Sequence, residues 1–278
     1  MGIVSRNIGL VTVIALISGA VVAGAAGGVL ARDDSGGVDV GDSSILRKLV
    51  SAKEVEKIGA AQYRQVAQKA QAKGQLLPAS HPQVKRVIGI AERLLPFAEK
   101  FNPRAREWAW EVNVINANVI NAFCMPGGKI ALYTGLLDRL ALTDDEVAMI
   151  MGHEIAHALR EHARERMAKS MLTNVGALAL GWFTGSDAAS QLARQGGQLL
   201  GLKFSRDDET ESDLIGMEIA ARAGFDPQAG VTLWQKMSKA AKGAPMEFLS
   251  THPSGPKRIQ TIRDNLPAVM PLYRAAKG

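Results

Sequence analysis

Met149-Ile150-Met151-Gly152-His153-Glu154-Ile155-Ala156-His157-Ala158-Leu159 is an apolar, helix-favouring run that carries the pattern H-E-x-x-H. On an α-helix, residues four apart share a face, so His153 and His157 can point their imidazoles at a single ion. Glu154, one step round, places a carboxylate beside that ion without being an obvious ligand, where it can take a proton from a metal-bound water. The pattern reads as a zinc hydrolase. Thr143-Asp144-Asp145-Glu146 is a capping box that starts the helix, which is expected to continue to about Ser170. On one unbroken helix His162, nine residues past His153, would lie roughly 180° round, which excludes it as a third ligand.

Upstream, the hydrophobic period changes from helix to strand. Ser51-Ala52-Lys53-Glu54 caps a helix reaching about Lys73, and a second helix runs from about Pro82 to Lys100 with Val84, Val87, Ile88, Ala91, Leu94 and Leu95 on one stripe. His81, just before it, is expected at the surface. From Trp108 to Val114 apolar and polar residues alternate, and Val119 to Phe123 and Lys129 to Thr134 give two more short strands, the last two joined by a Pro126-Gly127-Gly128 turn. A small sheet therefore precedes the motif helix, in a mainly helical α+β domain. An exposed strand edge beside a metal site offers main-chain hydrogen bonds to an extended peptide whatever its side chains.

Downstream, Met171 to Phe183 carries no charge and Gln191 to Gly201 almost none. A helical hairpin packed on the domain and a membrane- or substrate-facing lid are both open for 171–202; Met171 to Phe183 is too short to span a bilayer. Ser205-Arg206-Asp207-Asp208 then starts a helix expected to reach Ala223. A catalytic zinc takes three protein ligands and leaves one position for water, and the chain has only five histidines, so a carboxylate is the economical third. Glu209, Asp213, Gly216 and Ala220 share one face, with Gly216 and Ala220 small enough for another helix to come close. Glu209 is thereby chosen over Glu211. Asp213, one turn on, can accept the second N–H of a ligand histidine. Glu218 and Arg222 read as an ordinary i,i+4 surface ion pair.

Ile8 to Ala31 is an uncharged run of 24 residues behind Arg6, which fits a cleaved signal peptide or an uncleaved membrane anchor and sends the rest of the chain across a membrane. Residues 32–44, rich in Gly, Ser and Asp, read as a flexible linker, with the folded domain at 45–278. The net charge of +6 comes from scattered Lys and Arg with no aromatic-interleaved stripe, so nucleic acid is not an expected partner. Cys124 is the single cysteine, which excludes an intrachain disulfide and fits a small buried hydrophobe.

Asn121-Ala122-Phe123, Pro126-Gly127-Gly128, His153-Glu154-Ile155-Ala156-His157 and Ser205-Arg206 with Glu209-x-x-x-Asp213-x-x-Gly216 together resemble the HtpX and CAAX prenyl protease family of zinc metallopeptidases, over about residues 50–265. Order and spacing are closest to its soluble-domain, envelope quality-control members and its mitochondrial inner-membrane relative. The resemblance implies one Zn²⁺ on His153, His157 and Glu209, Glu154 as general base, and Asp213 behind the ligands. The family usually has Ala where this chain has Ser212. Thr251-His252-Pro253, with Arg258 following, also resembles a C-terminal element of that subgroup, leaving His252 as an oxyanion stabiliser, a reversible latch on the open zinc position, or a helix-capping or core residue. The expected activity is endoproteolysis of unfolded or extended polypeptide in the periplasm or cell envelope, with substrate antiparallel to the strand near Lys129 to Thr134. The alternative is a non-proteolytic, chaperone-like binding protein with a structural metal site, against which an intact Glu154 argues.

Overall fold

The computed structural model describes residues 36–184, 199–242, 246–253 and 255–278. The predicted signal peptide or anchor at 1–31 lies outside them, as does much of the 171–202 stretch. A short 3₁₀ turn, Ile45–Leu49, leads into α1 (Ala52–Ala72), α2 (Pro82–Leu94) and two further 3₁₀ turns, Leu95–Lys100 and Pro103–Glu107. Then come β1 (Glu111–Ile115), β2 (Ala122–Met125), β3 (Lys129–Tyr133), α3 (Thr134–Arg139) and the motif helix α4 (Asp144–Leu159). The chain continues through α5 (His162–Thr184), α6 (Arg206–Arg222), α7 (Ala229–Ala241), α8 (Glu247–Thr251) and α9 (Pro256–Lys277). Among the described residues no helix is long and apolar enough to cross a membrane.

The sheet order is β1-β3-β2, with β1 parallel and β2 antiparallel to β3. The strand expected near Lys129 to Thr134 is thus the middle one, both its edges are paired, and it cannot receive a peptide. The edge beside α4 belongs to β2. The first strand starts later than the alternation from Trp108 suggests, because Trp108 and Trp110 are spent on packing. Their rings lie 5.3 Å apart, Trp108 Nε1 donates to Glu56 and Trp110 Nε1 to the Ala105 carbonyl. Gly127 and Gly128, at φ +85° and +77°, make the β2–β3 turn, and a Cβ on Gly128 would strike the Trp110 ring. Tyr63 pins α1 to the sheet by donating to the Ile130 carbonyl and accepting from Asn113.

Helix α4 is buried on every side from Glu146 to Leu159, held among α2, β2, α6 and α7. Its start is the capping box read from sequence: Thr143 Oγ1 accepts from the Glu146 amide, and Glu146 accepts from the Thr143 amide. The helix does not run on to Ser170. It ends at Leu159, Glu161 takes the left-handed conformation (φ +58°), and α5 leaves in a new direction from His162.

Residues 36–41, expected within a flexible linker, lie against α6. The Val38 amide donates to Glu218 Oε2 (2.7 Å), Gly37 leaves no room for a Cβ beside that carboxylate, and Val38 and Val40 pack on the core. Glu218 is accordingly not a surface residue: fully buried, it meets Arg222 Nε and Lys100 Nζ, each at 2.7 Å. A buried carboxylate needs that many donors, since desolvation penalises it unless its lone pairs are filled. His81 is half-buried and caps α2, its Nδ1 accepting from the Gln83 amide.

Candidate metal centre

Helices α4 and α6 cross at a pair of glycines. A Cβ on Gly152 would lie 2.7 Å from the Gly216 carbonyl oxygen, and one on Gly216 would lie 2.6 Å from the His153 amide nitrogen. The backbones touch there, so the next side chains on each helix meet head-on. His153 Nε2 lies 3.1 Å from His157 Nε2 and 3.5 Å from Glu209 Oε2, and Glu209 Oε1 is 3.4 Å from His157 Nε2. His252, just past α8, adds Nδ1 at 3.0 Å from Glu209 Oε1 and 3.4 Å from His153 Nε2. One donor atom from each of these four buried residues falls within a 4.8 Å cluster, close enough for one ion.

Behind the donors stands a second ring of groups. Asp213 Oδ1 lies 3.0 Å from His153 Nδ1, and Arg258 grips Asp213 with Nε to Oδ2 at 2.7 Å and Nη2 to Oδ1 at 2.6 Å. Arg258 also bonds Glu209 through Nη1 and lies 3.6 Å above the Trp234 ring. Burial alone would raise the Asp213 and Glu209 pKa values, but Arg258 and His153 around Asp213, and His157 and His252 around Glu209, hold both below the ordinary carboxylate range. Both therefore stay ionised. Burial pushes His157 well below its ordinary value, keeping a neutral imidazole with a lone pair to give.

His162 stands where the break at Glu161 puts it. The geometry expected for His162 on one unbroken helix is not found: instead of facing the far side, it turns back so that its Nδ1 is 2.9 Å from His157 Nδ1. Its Nε2 lies 3.3 Å from Glu211 Oε2, which accepts from Arg160 Nε at 2.7 Å. Sequence reasoning assigned no part to His162, Glu211 or Arg160. The spacing of a third histidine five residues past His157 was a signal, but the turn that makes it count lies in a left-handed glutamate that no composition reveals.

Glu154 sits at the rim with its carboxylate buried and Oε1 without a hydrogen-bond partner. Burial raises its pKa above the ordinary carboxylate value, against the pull of His252 and His153. His252 Nε2 is 3.6 Å from Glu154 Oε1, and His252 stacks on Phe248 with rings 4.4 Å apart. Burial would lower the His252 pKa, but Glu154 and Glu209 raise it. A cleft of about 260 Å³ opens beside these groups, bounded by Phe123 and Cys124 of β2, Glu154 and His157 of α4, Phe204 and His252. Phe204 lies over His157 with ring centroids 4.0 Å apart. Cys124 is buried, with burial raising its thiol well above the ordinary value, as a small hydrophobe requires.

Two imidazoles, a carboxylate and a third imidazole converging on one point fit a metal ion of borderline softness. Residues 78–266, more than half the chain, match the family described as peptidase family M48. The chain belongs to peptidase family M48. It is 33% identical over 215 residues to the mitochondrial metalloendopeptidase OMA1 of Saccharomyces cerevisiae, covering 73% of this chain and 61% of that one. It is 41% identical over 154 residues to the Arabidopsis thaliana protein of the same name, covering 55% of this chain and 31% of that one. With the metalloprotease LoiP of Escherichia coli it shares 31% identity over 207 residues, 73% of this chain and 79% of that one. The chain thus spans a third to three-fifths of the length of these mitochondrial M48 relatives.

Proposed function

We propose that the chain is a zinc-dependent endopeptidase, with His153, His157 and Glu209 as the metal ligands. One observation carries the reading: Glu154 Oε1 is buried without a hydrogen-bond partner, beside the four converged donors of His153, His157, Glu209 and His252. A site built only to hold helices together has no use for such a carboxylate. Zinc held there would supply a Lewis acid that acidifies water and polarises a scissile carbonyl. Glu154, its pKa raised by burial, is suited to accept the water's proton at Oε1 and to deliver it to the leaving amine nitrogen. Asp213, locked by Arg258, keeps the proton of His153 on Nδ1 so that Nε2 faces the ligand cluster.

Substrate is extended or unfolded polypeptide laid along the outer edge of β2, where main-chain pairing sets little side-chain preference. His252 Nδ1 stands among the ligand atoms and so occupies the position that water needs, which supports the latch over the oxyanion role. The uncharged run from Ile8 to Ala31 supports an exported protein of the periplasm or cell envelope, cleaved or membrane-anchored, acting on misfolded or damaged proteins alongside the envelope quality-control members of its family. The test is Glu154→Gln assayed on casein with zinc content measured on the same sample. Loss of cleavage at full zinc loading supports the assignment; retained cleavage sinks the general base.

A further inference from the structure

We propose that His162 and Glu211 are positioning residues for His157, a relay that fixes which of its ring nitrogens faces the metal; this rests on His157 being a ligand. His157 turns Nε2 towards His153 and Glu209 and Nδ1 towards His162. Two ring nitrogens 2.9 Å apart hydrogen-bond only if one carries the proton and the other does not. With the Nε2 lone pair given to a metal, the one N–H of neutral His157 is on Nδ1, so His157 donates and His162 Nδ1 accepts. The proton of His162 is then on Nε2, which faces Glu211 Oε2 at 3.3 Å. Each role follows from the one before it, and the chain ends on a group that can only accept.

The two ligand histidines are thereby braced in the same way. His153 leans on Asp213, gripped by Arg258; His157 leans on His162 and Glu211, and Glu211 is gripped by Arg160. The second arm is one imidazole longer because Glu211 lies half a turn from Glu209, on a different side of α6, and its carboxylate does not reach His157 itself. The inserted ring spans the gap. Ser212 Oγ, 3.5 Å from His162 Nδ1, sits at the outer limit of a hydrogen bond and supports the ring without replacing His157 as its partner.

The experiment measures zinc affinity of the purified full chain by competition with a chromophoric chelator, and the visible absorption of the cobalt-loaded protein. His162→Phe keeps a ring in the space and removes the acceptor. It is expected to weaken zinc binding about 10–100-fold and to change the cobalt spectrum, as loss of a ligand's outer partner does. His162→Gln, which restores an acceptor, should recover most of the affinity. Should His162→Phe fail to fold, Glu211→Ala, at a partly exposed position, should weaken binding in the same direction. Wild-type affinity with an unchanged cobalt spectrum in both His162→Phe and Glu211→Ala overturns the relay. His157→Ala separates the two ideas: if it binds zinc as the wild type does, the ligand assignment itself fails and the relay falls with it.

Discussion

Replacing Gly216 by Ala tests whether the α4–α6 crossing sets the metal centre. The new Cβ would meet three backbone atoms: the His153 amide nitrogen at 2.6 Å, the Gly152 carbonyl carbon at 2.7 Å and His153 Cα at 3.0 Å. Ordinary contact begins near 3.4 Å, so the worst pair falls short by about 0.8 Å. No rotamer change relieves backbone, and the helices must part. Overpacking of this kind destabilises by about 3 kcal/mol at the upper end of its range. The better helix propensity of Ala offsets about 1 kcal/mol, leaving a net loss near 2 kcal/mol. At about 1.4 kcal/mol per factor of ten, this is roughly a 30-fold fall in the folding equilibrium. Urea unfolding would read that loss, and chelator competition should show weaker zinc binding because Glu209 moves away from His153. Gly89→Ala is the control of opposite sign: in the α2 interior nothing lies within 4 Å of its Cβ, so it should stabilise by about 0.5–1 kcal/mol. A Gly216→Ala protein with the wild-type urea midpoint and zinc affinity would refute the close-approach argument.

His252→Ala should raise kcat/KM on an unstructured peptide about tenfold or more if His252 closes the site, and a fall instead would make it an oxyanion stabiliser. Arg258→Lys loses the two-point grip on Asp213 and should weaken zinc binding about tenfold, read by the same competition assay. Glu146 gives a pH prediction. Burial raises its pKa, but Lys236, the Thr143 amide and Thr232 bring it below 4.5 in the folded chain, so its stabilisation is present above that value and is lost as pH falls through the folded pKa. Glu146→Gln should lower the urea midpoint at pH 7, and the gap from wild type should shrink below about pH 4.5; a gap that widens on acidification refutes it.

The half of the centre that rests on helix periodicity was legible in the sequence. His153 and His157 at four residues, Glu209 and Asp213 at four, and Gly216 on the same face all follow from 3.6 residues per turn and arrive where that period puts them. The capping boxes at Thr143 and Ser205 set the helix starts for the same reason, since the bonds they make are local. What could not be read depends on long-range or strained geometry. The left-handed Glu161 breaks the motif helix and recruits His162, and the parallel β1–β3 pairing puts β3 in the middle of the sheet. Trp108 and Trp110 alternate as a strand would, yet bury their rings around a turn. Glu218 with Arg222 has the spacing of a surface pair; it is interior, where Val38 and Lys100 arrive from far upstream to meet it.

That arrival has a mechanical side. Glu218 holds Val38 and stands about two and a half turns of α6 from Glu209, while Arg160, which grips Glu211, also donates to the Gly41 carbonyl. The strap at 36–41 and the donor carboxylate thus share one stiff rod, fastened at two points. A tug on the chain ahead of residue 36 would reach α6 as a pull along its side, and Lys100 and Arg222 on Glu218 are the cleats that resist it.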